Sequence, residues 1–74
     1  MKPSIGRIVI YHLEYGGEKL NNGSREVPAI ITRVWNDTCV NLRLFYDGEG
    51  CLTEWKTSSP LGKQPGQWSW PERV

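Results

Sequence analysis

The residues of this sequence that could do covalent chemistry are few. His12 is the only histidine, and Cys39 and Cys51 stand twelve residues apart, which matches neither a CxxC pair nor a metal-binding spacing. One histidine and two cysteines supply too few ligands for a structural zinc site. Nucleophilic catalysis also requires a base beside the nucleophile. We interpret His12 as a half-exposed strand residue and the cysteines as small buried hydrophobes in reduced form. The sequence therefore predicts a protein that is not an enzyme and holds no metal or cofactor.

Side chains that could bind a ligand without reacting are far more abundant. The chain has 4 tryptophans in 74 residues, roughly four times the ordinary proportion. An indole ring offers a large stacking surface at low entropic cost. The other aromatic side chains are Tyr11, Tyr15, Phe45 and Tyr46. This set exceeds what the core of so small a domain can enclose, which indicates a binding surface.

Arginine and asparagine side chains accompany the tryptophans. A guanidinium group offers planar, paired donors that suit phosphate, and an asparagine offers neutral hydrogen bonds. The predicted ligand-binding residues are Arg33, Trp35, Asn41, Arg43, Trp68, Trp70 and Arg73. Trp68 and Trp70 are separated by one residue, so an extended chain places them on the same side. The sequence leaves open whether this pair belongs to the core, to a subunit interface or to a pocket.

Length and charge limit the partners. The 74 residues allow one small domain, 1–74, which gains stability from assembly, so a homo-oligomer is expected. Lys and Arg number 9 against 8 Asp and Glu, and a net charge of +1 argues against a duplex-DNA binder. No segment has the roughly 20 apolar residues that span a membrane, and no signal segment is evident. A cytoplasmic protein is the expectation.

The apolar pattern is that of strands. The four strand-like runs are Ile5–Leu13, Val27–Trp35, Cys39–Tyr46 and Cys51–Thr57. A long first loop separates the first two runs, and residues 58–74 form a proline-bounded, Trp-rich tail suited to an edge strand, either on this barrel or on a neighbouring subunit. The sequence predicts an all-β fold, a small SH3-like or OB-like barrel of four to five antiparallel strands with an extended C-terminal tail.

The turns also predict the strand register. A hairpin loop at 36–38 places Val34 opposite Val40 and Ile30 opposite Leu44. The expected core face is then Ile30, Val34, Val40, Leu42 and Leu44. The opposite face carries Arg33, Trp35, Asn41, Arg43 and Phe45. A second turn at 47–50 places Arg43 opposite Glu54, and Trp55 then joins the core. In this register Cys39 and Cys51 lie on opposite faces, which argues against a disulfide.

Three blocks of the sequence resemble a known group of proteins. These blocks are Met1–Val9, the central Pro28–Trp35 with Cys39–Leu42, and the ending Pro65–Arg73. Together they resemble a family of short, mostly uncharacterised proteins encoded by bacteriophages and prophages. The resemblance implies a phage origin, action in the cytoplasm of an infected bacterial host, and an accessory role. It supplies no activity that can be transferred to individual residues.

Size, composition and this resemblance favour a non-enzymatic binding protein. The first hypothesis is a homo-oligomeric counter-defence protein that acts as a sponge, sequestering a host nucleotide second messenger of the cyclic oligonucleotide or cyclic ADP-ribose type. The second is an SH3-like interaction module that binds and inhibits a host protein. The third is a single-stranded nucleic-acid binder, which the near-neutral charge disfavours.

Overall fold

The protein is a single antiparallel sheet that curls into a half-barrel, described here from a computed structural model for residues 1–50 and 53–72. The strands are β1 (Ile8–His12), β2 (Glu26–Val34), β3 (Cys39–Phe45), β4 (Thr53–Pro60) and β5 (Trp68–Ser69). Their order across the sheet is β4-β3-β2-β1-β5. The prediction of a small all-β, barrel-like fold is confirmed, while the choice between SH3-like and OB-like remains a prediction. The long first loop contains a short 3₁₀ helix, Gly17–Leu20, which the sequence did not predict.

The hairpin of β2 and β3 begins as predicted and then changes register. Val34 pairs with Val40, but the pairing shifts between Ile31 and Arg33, so that Ile31 faces Leu42. An extra residue in one strand reverses the direction of every side chain beyond it. The prediction of Ile30 in the core was therefore wrong, because Ile31 is fully buried and Ile30 is only half-buried.

The pairing of β3 with β4 is offset by one residue from the prediction. Arg43 pairs with Trp55, and Glu54 lies opposite Leu44. Because side chains alternate between faces along a strand, a one-residue offset exchanges the two faces. Trp55 is consequently 52% exposed, and its predicted place in the core was wrong. The predicted pair of Arg43 with Glu54 is absent for the same reason.

The concave side of the sheet is filled by apolar side chains. The buried hydrophobic residues are Val9, Tyr11, Leu13, Val27, Ala29, Ile31, Val40, Leu42, Leu44 and Trp68. Trp68 is fully buried, its indole nitrogen donates to the Thr38 carbonyl at 3.1 Å, and its ring meets Trp70 edge to face at 5.2 Å. The tail thus folds back onto its own chain, where β5 pairs with β1.

A polar network lies where the two sides of the curled sheet approach each other. The Lys56 ammonium is 3.1 Å from Glu54 and 3.6 Å from Glu14. Tyr46 donates to Glu54, and Tyr11 donates to Glu14. Because these bonds join β1 and its following loop to β4 and to Tyr46, the residue after β3, the network stabilises the curvature of the sheet.

Candidate binding surface on the outer face of the sheet

The convex side of the sheet carries large apolar side chains that no other part of the described residues, 1–50 and 53–72, covers. Strand pairing places Ile8, Ile30, Arg43 and Trp55 in one row across β1 to β4. Arg33, Trp35 and Phe45 lie on the same side of the sheet. We call these seven residues the outer face. Ile8, Trp35, Phe45 and Trp55 are 58%, 50%, 41% and 52% exposed, and clustered exposure of this kind marks interaction sites more often than scattered apolar residues do.

Trp35 is held in place on this face although it is half-exposed. Its indole nitrogen donates to Asn41 Oδ1 at 2.9 Å. The guanidinium carbon of Arg33 lies 4.3 Å from the ring centroid, in cation–π geometry. These two contacts fix both the direction and the tilt of the ring, so that a partner meets an aromatic surface that is already ordered.

Asn41 is a positioning residue. It is 6% exposed, and its Oδ1 also accepts hydrogen bonds from Thr57 Oγ1 at 3.1 Å and from the Ser58 amide at 2.8 Å. Ser58 has a positive φ of 54° and sits where the pairing of β3 with β4 shifts between Val40 and Leu42. One oxygen accepts all three hydrogen bonds. Asn41 therefore satisfies a backbone amide of the irregular segment and also holds the Trp35 ring in place.

The two arginines of the outer face keep their charge available. In residues 1–50 and 53–72, the ion pairs with carboxylates are those of His12 and Lys56. Arg33 stacks on Trp35, and Arg43 stands between Ile30 and Trp55 in the cross-sheet row. An apolar surface with two unneutralised guanidinium groups can hold an apolar ligand that carries negative charge.

The structure divides the predicted site residues into two groups. Arg33, Trp35, Asn41 and Arg43 come together on the convex side. Trp68 is buried in the core, so its ring does not face a ligand in this conformation. Trp70 is half-buried against the core with Arg7 5.4 Å from its ring, and Arg73 falls outside the described residues, as does Cys51.

Three members of the outer face were not predicted from the sequence: Ile8, Ile30 and Trp55. Apolar residues in β2 occupy positions 27, 29, 30, 31 and 34, so the pattern alone leaves open whether Ile30 or Ile31 faces the core. The bulge between Ile31 and Arg33 decides this and leaves Ile30 on the outer side.

His12 lies in a small cleft of about 290 Å³ at the β5 side of the sheet. Its Nε2 is 2.8 Å from Ser69 Oγ, and its Nδ1 is 4.0 Å from Glu26 Oε2. Ser69, His12 and Glu26 thus follow one another in space in the order serine, histidine, carboxylate, which is the order of the catalytic triad in acyl-transfer enzymes. Ser69 is, however, only 9% exposed, so the bond to His12 fastens β5 to β1 and leaves the hydroxyl poorly accessible.

A larger cleft, about 540 Å³, lies between the 3₁₀ helix and the turn after β3. Its lining includes Leu20 and Tyr46 together with the ammonium of Lys19 and the carboxylates of Asp47, Glu49 and Glu54. Three carboxylates against one lysine disfavour phosphate by like-charge repulsion. The nucleotide predicted from the sequence would therefore have to bind elsewhere.

Comparison with known proteins adds no relative: no family model, no curated protein and no solved structure matches this chain. Within the part of the chain that the structure describes, no three His, Cys, Asp or Glu side chains are grouped so as to hold a metal ion. No helix among the same residues is long and apolar enough to cross a membrane.

Proposed function

We propose that this protein is a non-catalytic binding module whose outer face docks a polypeptide. The observation that carries the proposal is the cluster of Trp35, Phe45, Trp55 and Ile8, four large side chains exposed on one side of a sheet whose other side is packed. Tryptophan and arginine are the residue types that dominate protein–protein binding energy. The resemblance to phage-encoded proteins favours a host protein as the partner.

The shape of the outer face supports a polypeptide over a nucleotide. A nucleotide pocket buries most of its ligand, whereas these side chains stand on the convex side of a sheet. One side of the Trp35 ring is already covered by Arg33, and Trp68, which the nucleotide hypothesis used, is in the core. An extended or helical segment can instead lie across several exposed side chains at once.

The test is selection of binding peptides from a library of random 12-residue sequences on the immobilised protein. The affinity of the selected peptides is then measured for the wild type and for the double variant Phe45→Ser/Trp55→Ser. The matched control is Tyr15→Ser, because Tyr15 is 91% exposed and lies off the outer face. Removing two anchoring aromatics should weaken binding by at least about 30-fold, since each anchor contributes more than about 1 kcal/mol.

The control variant should bind as the wild type does. Equal affinity for the wild type and the double variant, with both folded by circular dichroism, would show that the outer face is not the docking surface. Loss of binding in the Tyr15 variant would place the site on the first loop instead.

A second candidate function is sequestration of a nucleotide second messenger. The observation in its favour is the guanidinium of Arg33 beside the exposed indole of Trp35, which together offer a phosphate partner and a stacking surface. Because the outer face is open, this function requires a second copy of the chain to close the site. Cyclic dinucleotides and cyclic ADP-ribose isomers should then raise the melting temperature at tens of micromolar, and an unchanged melting temperature for every one of them removes this candidate.

A further inference from the structure

We infer that the segment docked on the outer face is short and acidic, with apolar side chains alternating with or flanked by carboxylates. This inference rests on the proposed function, since it names the partner class of the same surface. It depends on the charge and the size of the outer face.

The charged residues of the outer face are all positive. Arg33 and Arg43 are its charged members, and neither is ion-paired with a carboxylate within the described residues. Docking a neutral or basic segment would desolvate these guanidinium groups without providing a negatively charged partner. Carboxylates on the segment would pair with both, and arginine binds a carboxylate through two parallel hydrogen bonds.

A second copy of this chain does not supply that charge. Two outer faces packed together about a two-fold axis would bring together four arginines and, from the seven residues of each face, no carboxylate. Like charges placed together across an interface are unfavourable. The charge of the face thus selects against self-association and in favour of an acidic partner.

The size of the outer face fits a short segment. Four strands span about 14 Å across the sheet, and the positions from Cys39, which lies beside Trp35, to Phe45 span about 20 Å along it. The plan area of about 300 Å² is below the roughly 800 Å² per partner of a standard stable interface. A segment of a few residues covers this area, whereas a folded domain would need contacts beyond it.

The experiment compares the amino-acid compositions of the 12-residue peptides that are selected on three proteins. These are the wild type, the charge-reversed variant Arg33→Glu/Arg43→Glu, and the control Lys19→Glu/Arg25→Glu, which makes the same change of net charge in the first loop. Peptides selected on the wild type and on the control should be enriched in Asp and Glu. Their affinity for the charge-reversed variant should fall by about tenfold or more, and peptides selected on that variant should be enriched in Lys and Arg.

Three results would overturn the inference. Peptides selected on the wild-type protein could lack an excess of Asp and Glu and still require Phe45 and Trp55 for binding. That result would overturn the acidic partner and leave polypeptide docking in place. Selected peptides that bind the Phe45→Ser/Trp55→Ser variant normally would overturn the docking proposal as well. A native mass of two chains that returns to one in Trp55→Ser would identify a second copy as the occupant.

Discussion

The indole nitrogen of Trp35 lies 2.9 Å from the side-chain oxygen of Asn41 on the adjacent strand. Asn41 is buried at the point where β3 and β4 lose regular pairing, and its oxygen also receives donors from Thr57 and Ser58. The irregularity of the sheet and the order of the exposed ring thus depend on the same atom. A defect in backbone pairing is used here to aim an aromatic side chain, which is a common role of β-bulges near functional sites.

Asn41→Ala should destabilise the protein by about 1–3 kcal/mol, because it leaves three donors without their acceptor. Urea denaturation measures this loss. Asn41→Asp keeps an oxygen in the same place and should cost less. Equal losses for the two variants would show that an oxygen acceptor at this position does not account for the effect.

Trp68 and Trp55 should differ sharply when each is replaced by alanine. Trp68 fills the core, and its removal should cost about 3–5 kcal/mol, which is a large share of the stability of so small a domain. Trp55 is half-exposed on the outer face, so Trp55→Ala should change stability by only about 0.5 kcal/mol. Thermal and urea unfolding check both, and Trp68→Phe provides a milder core variant. A large loss for Trp55→Ala would restore the sequence-based register.

These two tryptophans show which parts of the fold could be predicted from the sequence and which could not. The strands, the loop at 36–38 and the Val34–Val40 pair follow from β-branched runs and turn residues, which are local signals. The offset of β4 does not follow, because the inward positions opposite Leu44 and Leu42 hold Glu54 and Lys56, charged residues that usually point outward. They are tolerated because the network with Tyr46 and Glu14 satisfies them, and this network joins residues far apart in the chain.

The candidate site could be predicted in part for a similar reason. Arg33, Trp35, Asn41 and Arg43 share a face because they alternate along two strands of a local hairpin. Whether Trp68 and Trp70 are buried depends on the strand with which the tail pairs. No local sequence pattern indicates that β5 pairs with β1. The role of Asn41 likewise depends on a bulge formed with residues 57 and 58, more than fifteen positions away.

The stability of the protein should depend on pH through Glu54. The hydrogen bond from Tyr46, together with the charge and hydrogen bond of Lys56, lowers the pKa of Glu54 below its usual value of 4.5. A carboxyl whose pKa is lower in the folded state stabilises the protein above the unfolded-state pKa, and that contribution is lost as the pH falls through the folded-state pKa.

Urea denaturation of the wild type and of Glu54→Gln between pH 7 and pH 3 measures this contribution. The difference in unfolding free energy between the two proteins should be largest at pH 7. It should shrink as the pH falls below about 4.5, where the carboxyl of the unfolded chain takes up a proton, and should be lost as the pH passes through the lower folded-state pKa of Glu54. A difference that stays constant over this range would show that the charge of Glu54 does not contribute.

The most direct test of the outer face is the NMR signal of the tryptophan indole N–H groups during titration with a peptide selected on the wild-type protein. The Trp55 and Trp35 indole signals should shift together and saturate with the bound fraction, while the signal of the buried Trp68 stays in place. Saturating binding that moves the Trp68 signal and leaves those of Trp35 and Trp55 unchanged would contradict docking on the outer face.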